Sequence, residues 1–78
     1  MTTRKPRRLS PRKLLLSKWT AVTPQDKEKH FIVTRLIESE PPSAPLKFVE
    51  IEAVHSRRSV ILPWRDLTEP GKWDQGWK

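Results

Sequence analysis

Residues 47–64, KFVEIEAVHSRRSVILPW, decide the fold of this chain. Val49, Ile51 and Ala53 occupy every second position in the first half of this stretch, and the apolar alternation resumes over residues 60–64. A period of two places successive side chains on opposite faces of a β-strand. Two such segments on either side of a polar pentapeptide predict a β-hairpin.

The pentapeptide HSRRS, residues 55–59, forms the predicted tip of this hairpin. It lacks the glycine that favours a two-residue turn, so we expect a longer loop. Pro63 has no N–H to donate to a ladder and therefore ends the second strand or places it at a sheet edge. Glu50 and Glu52 share one face of the first strand, which predicts a solvated face opposite cations. The candidate partners are Arg35, Arg57 and Arg58.

Two further strands are predicted before the hairpin. The stretch LLLSKWTAV, residues 14–22, alternates imperfectly, and TPQD at 23–26 predicts a turn because proline presets φ and aspartate bonds its own backbone. The stretch KEKHFIVTRLIE at 27–38 is dense in β-branched and aromatic residues, which favours a strand over the alternative of a helix at 25–37. The proline-rich ESEPPSAPL at 38–46 predicts a loop.

Three of the four tryptophans lie within the last fifteen residues of the chain. Glycines and a proline there favour turns or one short helical turn, in which Trp73 and Trp77, four residues apart, would share a face. We expect this segment to cap the sheet, with Trp19 and Trp64 largely in the core. The sequence therefore predicts a mainly β fold: a small four-stranded, mostly antiparallel sheet or partial barrel with a Trp-rich C-terminal cap.

The net charge of +7 is concentrated at the N-terminus. Residues 1–13 hold six basic residues and no acidic one, whereas the other 65 residues hold ten basic and nine acidic residues. Because two prolines interrupt any helix there, we assign 1–13 to a disordered basic tail and 14–78 to the β domain. Such a tail is typical of arms that bind nucleic acid, although a solubilising end is the plainer interpretation. Its basic residues are Arg4, Lys5, Arg7, Arg8, Arg12 and Lys13.

The composition argues against several classes of protein. The chain has no cysteine, two isolated histidines and only two glycines, so we expect no metal, no cofactor and no phosphate-binding loop. No serine or carboxylate pair has the setting of a catalytic group, and we expect no enzyme activity. The longest apolar run, at 14–16, is far shorter than the roughly 20 residues of a membrane span. We therefore expect a cytoplasmic protein without membrane contact.

Two sets of residues are candidates for binding. The guanidinium groups of Arg57 and Arg58, with His55, could grip phosphates at the hairpin tip, although a polar tip is often merely solvated. Together with the tail they predict an RNA or other polyanion partner. The alternative is a protein-interaction module or assembly factor, since Trp and Arg are enriched at interface hot spots. Its predicted patch comprises Trp64, Arg65, Trp73 and Trp77. A homodimer is a third possibility.

Five segments occur in a characteristic order: SKWTAV, KHF, VEIEAVHSRRS, LPWRDL and KWDQGW. In this order the chain resembles the bacterial tryptophan-rich conserved hypothetical proteins, a domain of unknown function, over about 14–78. The resemblance implies a bacterial cytoplasmic setting and supplies no catalytic residues.

Overall fold

Five β-strands form one open antiparallel sheet in the computed structural model, which describes residues 6–41 and 43–78. The spatial order of the strands is β4-β3-β2-β1-β5, and every neighbouring pair is antiparallel. The strands are β1 (Lys18–Gln25), β2 (Glu28–Ile37), β3 (Phe48–Ala53), β4 (Ser59–Pro63) and β5 (Trp73–Gln75). Two short 3₁₀ helices occupy Pro11–Lys13 and Trp64–Thr68.

The predicted hairpin is confirmed as β3 and β4, whose register runs from the Phe48–Pro63 pair to the Glu52–Ser59 pair. Pro63 is the last residue of β4, and β4 is an edge strand, as the missing N–H predicts. The face of β3 that carries Glu50 and Glu52 also has arginines beside it, as expected. Arg35 Nε lies 3.5 Å from Glu50 Oε1, and Arg57 Nη1 lies 3.8 Å from Glu52 Oε2.

The strand prediction for residues 27–38 is confirmed by β2, and its helical alternative is wrong. The turn before it was placed too early. Pro24 continues β1, where the register with β2 is irregular, and the two-residue turn is Asp26-Lys27. β1 also starts later than predicted, at Lys18.

Asp26 and Lys27 have φ angles of 52° and 63°, as a type I′ hairpin turn requires. Lysine is strained there, whereas glycine adopts this conformation freely. We expect Lys27→Gly to raise the free energy of unfolding by roughly 0.5–1 kcal/mol, measured as a shift of the urea midpoint. Lys29→Gly, on the neighbouring strand, is the control and should destabilise. A lower midpoint for Lys27→Gly would contradict the assigned turn.

The C-terminal segment adds a fifth strand that was not predicted. Residues 73–75 pair with β1 in the order Trp73–Ala21, Asp74–Thr20 and Gln75–Trp19, so the predicted helical turn is wrong. Gly76, at φ 79°, turns the chain after these three residues. Thr20 Oγ1 donates to Gly76 O at 2.6 Å and accepts from Lys78 N at 2.9 Å, which ties the end of the chain to β1. β4 and β5 lie at opposite edges, so the sheet stays open and does not form a partial barrel.

The core lies on one face of the sheet. Trp19 and Phe31 are cross-strand partners there, and the next pairs along β2 and β3 extend the same apolar surface. Leucines from outside the strands cover it. The buried apolar residues are Leu14, Trp19, Phe31, Val33, Leu46, Val49, Ile51, Ala53 and Leu67.

Residues 6–13, which the sequence assigns to the tail, contact the domain. Leu9 packs against the core, and the backbone N–H of Arg7 donates to Thr68 O at 2.9 Å. The tail residues Arg4 and Lys5 lie outside the described residues. Within 6–41 and 43–78, no helix has the length and apolar character needed to cross a bilayer.

Candidate functional site

Arg58, at the hairpin tip, is held by a buried carboxylate. Its Nε donates to Glu28 Oε2 at 3.0 Å and its Nη2 donates to the other carboxylate oxygen. Ser56 Oγ also donates to this carboxylate. Glu28 is only 5% exposed, so these donors replace the water that the charge would otherwise need. The contact joins the β3–β4 tip to the start of β2.

The hydrogen bonds from Arg58 and then Ser56 lower the pKa of Glu28 to about 2, against the opposing effect of its burial. The carboxylate therefore stays charged at every physiological pH. Arg58 serves first as a structural residue, because its guanidinium is held in one geometry by Glu28.

The other residues of the predicted tip are more open. His55 is exposed, and Arg57, at φ 64°, is 82% exposed with Glu52 as its nearest acid. The structure thus brings His55, Arg57 and Arg58 into one loop. Each arginine there faces a carboxylate, which reduces the positive field that the tip presents to an anion.

The basic residues of the N-terminal segment divide into two groups. Arg7 donates to Leu67 O at 2.6 Å and to Trp73 O at 2.9 Å, and its guanidinium lies 5.5 Å from the centre of a Trp19 ring. Arg12 pairs with Glu38 at 2.5 Å, which lowers the pKa of that carboxyl. Arg8 and Lys13 are exposed, and neither forms an ion pair within the described part of the chain.

A basic and aromatic surface surrounds Trp64, and we call it the Trp64 surface. Trp64 Nε1 donates to Leu46 O at 2.9 Å, which fixes the indole, and the Arg65 guanidinium lies 4.9 Å from the ring centre. Grooves of about 520 and 400 Å³ flank this pair. The surface comprises Arg8, Lys47, Phe48, Trp64 and Arg65, which line one groove or both.

The Trp64 surface carries one sign of charge. Among the described residues, none that lines either groove is acidic. Arg8, Lys47 and Arg65 have no ion-pair partner within 6–41 and 43–78. Pro6 also lines the first groove. The basic residues Arg4 and Lys5 come immediately before it in the sequence. No sequence pattern pointed to Lys47 or Phe48, because only tertiary packing brings the loop before β3 beside Trp64.

The four residues of the predicted protein-binding patch do not lie together. Trp64 and Arg65 belong to the surface just described. Trp73 pairs with Ala21 on the core face of the sheet and meets Phe31 edge-on at 5.2 Å.

Trp77 lies on the other face of the sheet. Its ring centre is 5.8 Å from that of His30, and Lys18 Nζ lies 4.8 Å above the ring. His30 and Lys18 stand on the face opposite the core, because they neighbour Phe31 and Trp19 in their strands. Trp77 is 44% exposed, as predicted for one of the two C-terminal indoles, whereas Trp19 is fully buried.

These features define a small antiparallel β domain whose tryptophans occupy separate structural positions around one sheet. The chain belongs to the family described as Tryptophan-rich protein (DUF2389), which matches residues 17–78. This match confirms the resemblance drawn from the sequence. No curated protein and no solved structure matches the chain.

Proposed function

We propose that this domain is a non-enzymatic module that binds single-stranded RNA through the Trp64 surface and the basic residues of the N-terminus. The observation that carries the proposal is the grouping of Arg8, Lys47 and Arg65 around Trp64, with no acidic residue among the described lining of the two grooves. Phosphate contacts position an RNA chain, and aromatic rings beside them stack with its bases.

The distribution of ion pairs favours this surface over the hairpin tip. Arg57 and Arg58 have carboxylate partners in Glu52 and Glu28, and these negative charges weaken the attraction of the tip for a polyanion. No carboxylate pairs with the cations of the Trp64 surface within the described residues. These cations therefore release only counterions and water when they bind a phosphate.

The geometry of Trp64 and Arg65 suits a base as well as a phosphate. A guanidinium stacked on an indole presents a planar, cationic surface on which another flat ring stacks. Phe48 lines the neighbouring groove and is 43% exposed, which adds a second aromatic platform. Stacking of this kind tolerates any base, so we propose that the domain binds RNA with little sequence preference.

The test is a salt titration of binding to a fluorescein-labelled oligouridine of about twelve nucleotides, a length typical of such sites. We expect Arg65→Gln, Arg8→Gln and Lys47→Gln each to weaken binding and to reduce the slope of log K against log salt by about 0.7. Arg57→Gln is the matched control, since it removes an exposed arginine of the tip, and should leave the slope unchanged.

Two results would overturn the proposal: no affinity of the wild-type chain at low salt, or an effect of Arg57→Gln as large as that of Arg65→Gln. Capture from lysate gives a second readout. Partners that survive nuclease treatment and are lost with Arg65→Gln would replace RNA with a protein ligand.

A further inference from the structure

A second cleft opens at the other end of the molecule, where the β1–β2 hairpin, the β3–β4 tip and the segment before β5 meet. Its volume is about 330 Å³, and it shares no lining residue with the two grooves of the Trp64 surface. Its lining includes Thr23, Gln25, Phe31, Arg58, Lys72 and Trp73. The cleft thus combines two aromatic rings with two cations and the carboxylate of Glu28.

Trp73 differs from the other three tryptophans in its indole N–H. Trp19 Nε1 donates to Ser17 Oγ, Trp64 Nε1 to Leu46 O and Trp77 Nε1 to Phe31 O, at 2.8, 2.9 and 3.0 Å. Within 6–41 and 43–78, the Trp73 N–H has no protein acceptor. No buried side-chain nitrogen of the described residues lacks a partner, so the Trp73 N–H reaches solvent and is free to donate to a ligand oxygen.

The two cations of the cleft also have donors to spare. Glu28 occupies Nε and one terminal nitrogen of Arg58, so the other terminal nitrogen has no acceptor in the described chain. Lys72 Nζ lies 3.9 Å from Asp66, and both cationic side chains are more than half exposed. Glu28 in turn is saturated by its own donors. The carboxylates of Glu28 and Asp66 offset the two positive charges, but N–H groups remain unpaired on Arg58 and Lys72, which suits a ligand that accepts hydrogen bonds there.

The apolar part of the cleft defines the rest of the ligand. Phe31 and Trp73 meet edge to face, an arrangement that a third aromatic ring can extend. A pocket in which aromatic rings adjoin a few convergent polar groups is typical of small-ligand sites. We propose that this cleft binds a small aromatic carboxylate, with the carboxylate on Arg58 and Lys72 and the ring against Phe31 and Trp73.

The probe is phenylacetate, titrated into the ¹⁵N-labelled full chain and followed by two-dimensional NMR. We expect the Trp73 indole signal and the Lys72 amide to shift in a saturable manner, while the indole signals of Trp64 and Trp77 stay in place. Phenylacetamide has the same ring without the charge and should bind about tenfold more weakly, as expected for loss of charge-assisted hydrogen bonds.

Two variants separate the contributions. Lys72→Gln should weaken phenylacetate about tenfold, because it removes a charged donor from an exposed position. Trp73→Phe keeps a ring and removes the N–H, so it should also weaken binding. Lys29→Gln is the control, since Lys29 is exposed and lines neither this cleft nor the grooves of the Trp64 surface, and this variant should bind as the wild type does. Equal affinity for phenylacetate and phenylacetamide, or unchanged affinity in Lys72→Gln, would overturn the proposal whatever the outcome with RNA.

A tripeptide that ends in phenylalanine distinguishes the source of the carboxylate. Binding of the free acid but not of its C-terminal amide supports the same recognition. An affinity above that of phenylacetate would identify the ligand as a protein C-terminus, and a lower affinity as a small metabolite.

Discussion

Replacement of Trp19 by alanine should lower the free energy of unfolding by about 3–5 kcal/mol, the usual range for removing a large buried aromatic side chain. Trp19 is 1% exposed and belongs to the buried apolar cluster. The truncation leaves a cavity under β1 and also removes the ring that Arg7 covers. Small domains have only about 5–15 kcal/mol of stability, so a large fraction of this variant should be unfolded near body temperature.

Urea unfolding followed by far-ultraviolet circular dichroism measures this change, and Trp77→Ala is its matched control. Trp77 is 44% exposed on the opposite face of the sheet, so its truncation should cost much less. Comparable losses of stability in the two variants would contradict this prediction, because a large loss is expected only for the buried ring on the core face.

The second large effect concerns the Glu28–Arg58 ion pair. Arg58→Met removes the main donor to a carboxylate that is only 5% exposed and leaves a buried charge without its partner. We expect a marked loss of stability at neutral pH and a rise in the pKa of Glu28. Arg57→Met removes the neighbouring arginine, which is 82% exposed and lies 3.8 Å from Glu52. This control should change stability little, because exposed ion pairs contribute little.

The same ion pair makes a signed prediction about pH. The pKa of Glu28 is lowered from its ordinary value of 4.5 to about 2 in the folded chain. A depressed pKa stabilises the folded state above the unfolded-state value, and this contribution disappears as the pH falls from about 4.5 through about 2. The stability difference between the wild type and Glu28→Gln should therefore be constant above this window and shrink within it. Urea midpoints across this range provide the measurement, and a difference that does not change between neutral pH and pH 2 would contradict the assignment.

Local patterns predicted those parts of the fold in which neighbouring residues decide the outcome. The alternation around Ile51 predicted the β3–β4 hairpin, and Pro63 marked an edge. The spacing of Glu50 and Glu52 placed both on one face, and this face carries the expected arginines. These features follow from the period of a strand and from the missing N–H of proline.

The fifth strand could not be predicted from a local sequence pattern. Residues 73–75 are too few for a period to appear, and their extended form depends on the free edge of β1. A segment of this length has no stable conformation of its own and takes the one that its partner strand offers. The position of Trp73 against Phe31 follows from that pairing.

The sequence assigned RNA contact to the basic N-terminus and the hairpin tip, and it placed Trp64 and Arg65 in a predicted protein-binding patch with Trp73 and Trp77. The structure separates the residues of that patch and places Trp64 and Arg65 beside Arg8 and Lys47. The sequence could not show that Arg58 pairs with Glu28, thirty residues away. It also could not place Lys47 and Arg8 beside Trp64.

The sequence by itself therefore determined the β-class of the fold, the β3–β4 hairpin and the concentration of positive charge at the N-terminus. Tertiary structure alone decided which arginines are paired with carboxylates and which are not. The physical reason is the separation along the chain over which each interaction acts. Strand period and turn preference act between adjacent residues, whereas an ion pair depends on which distant segments the closed core brings within a few ångströms of each other.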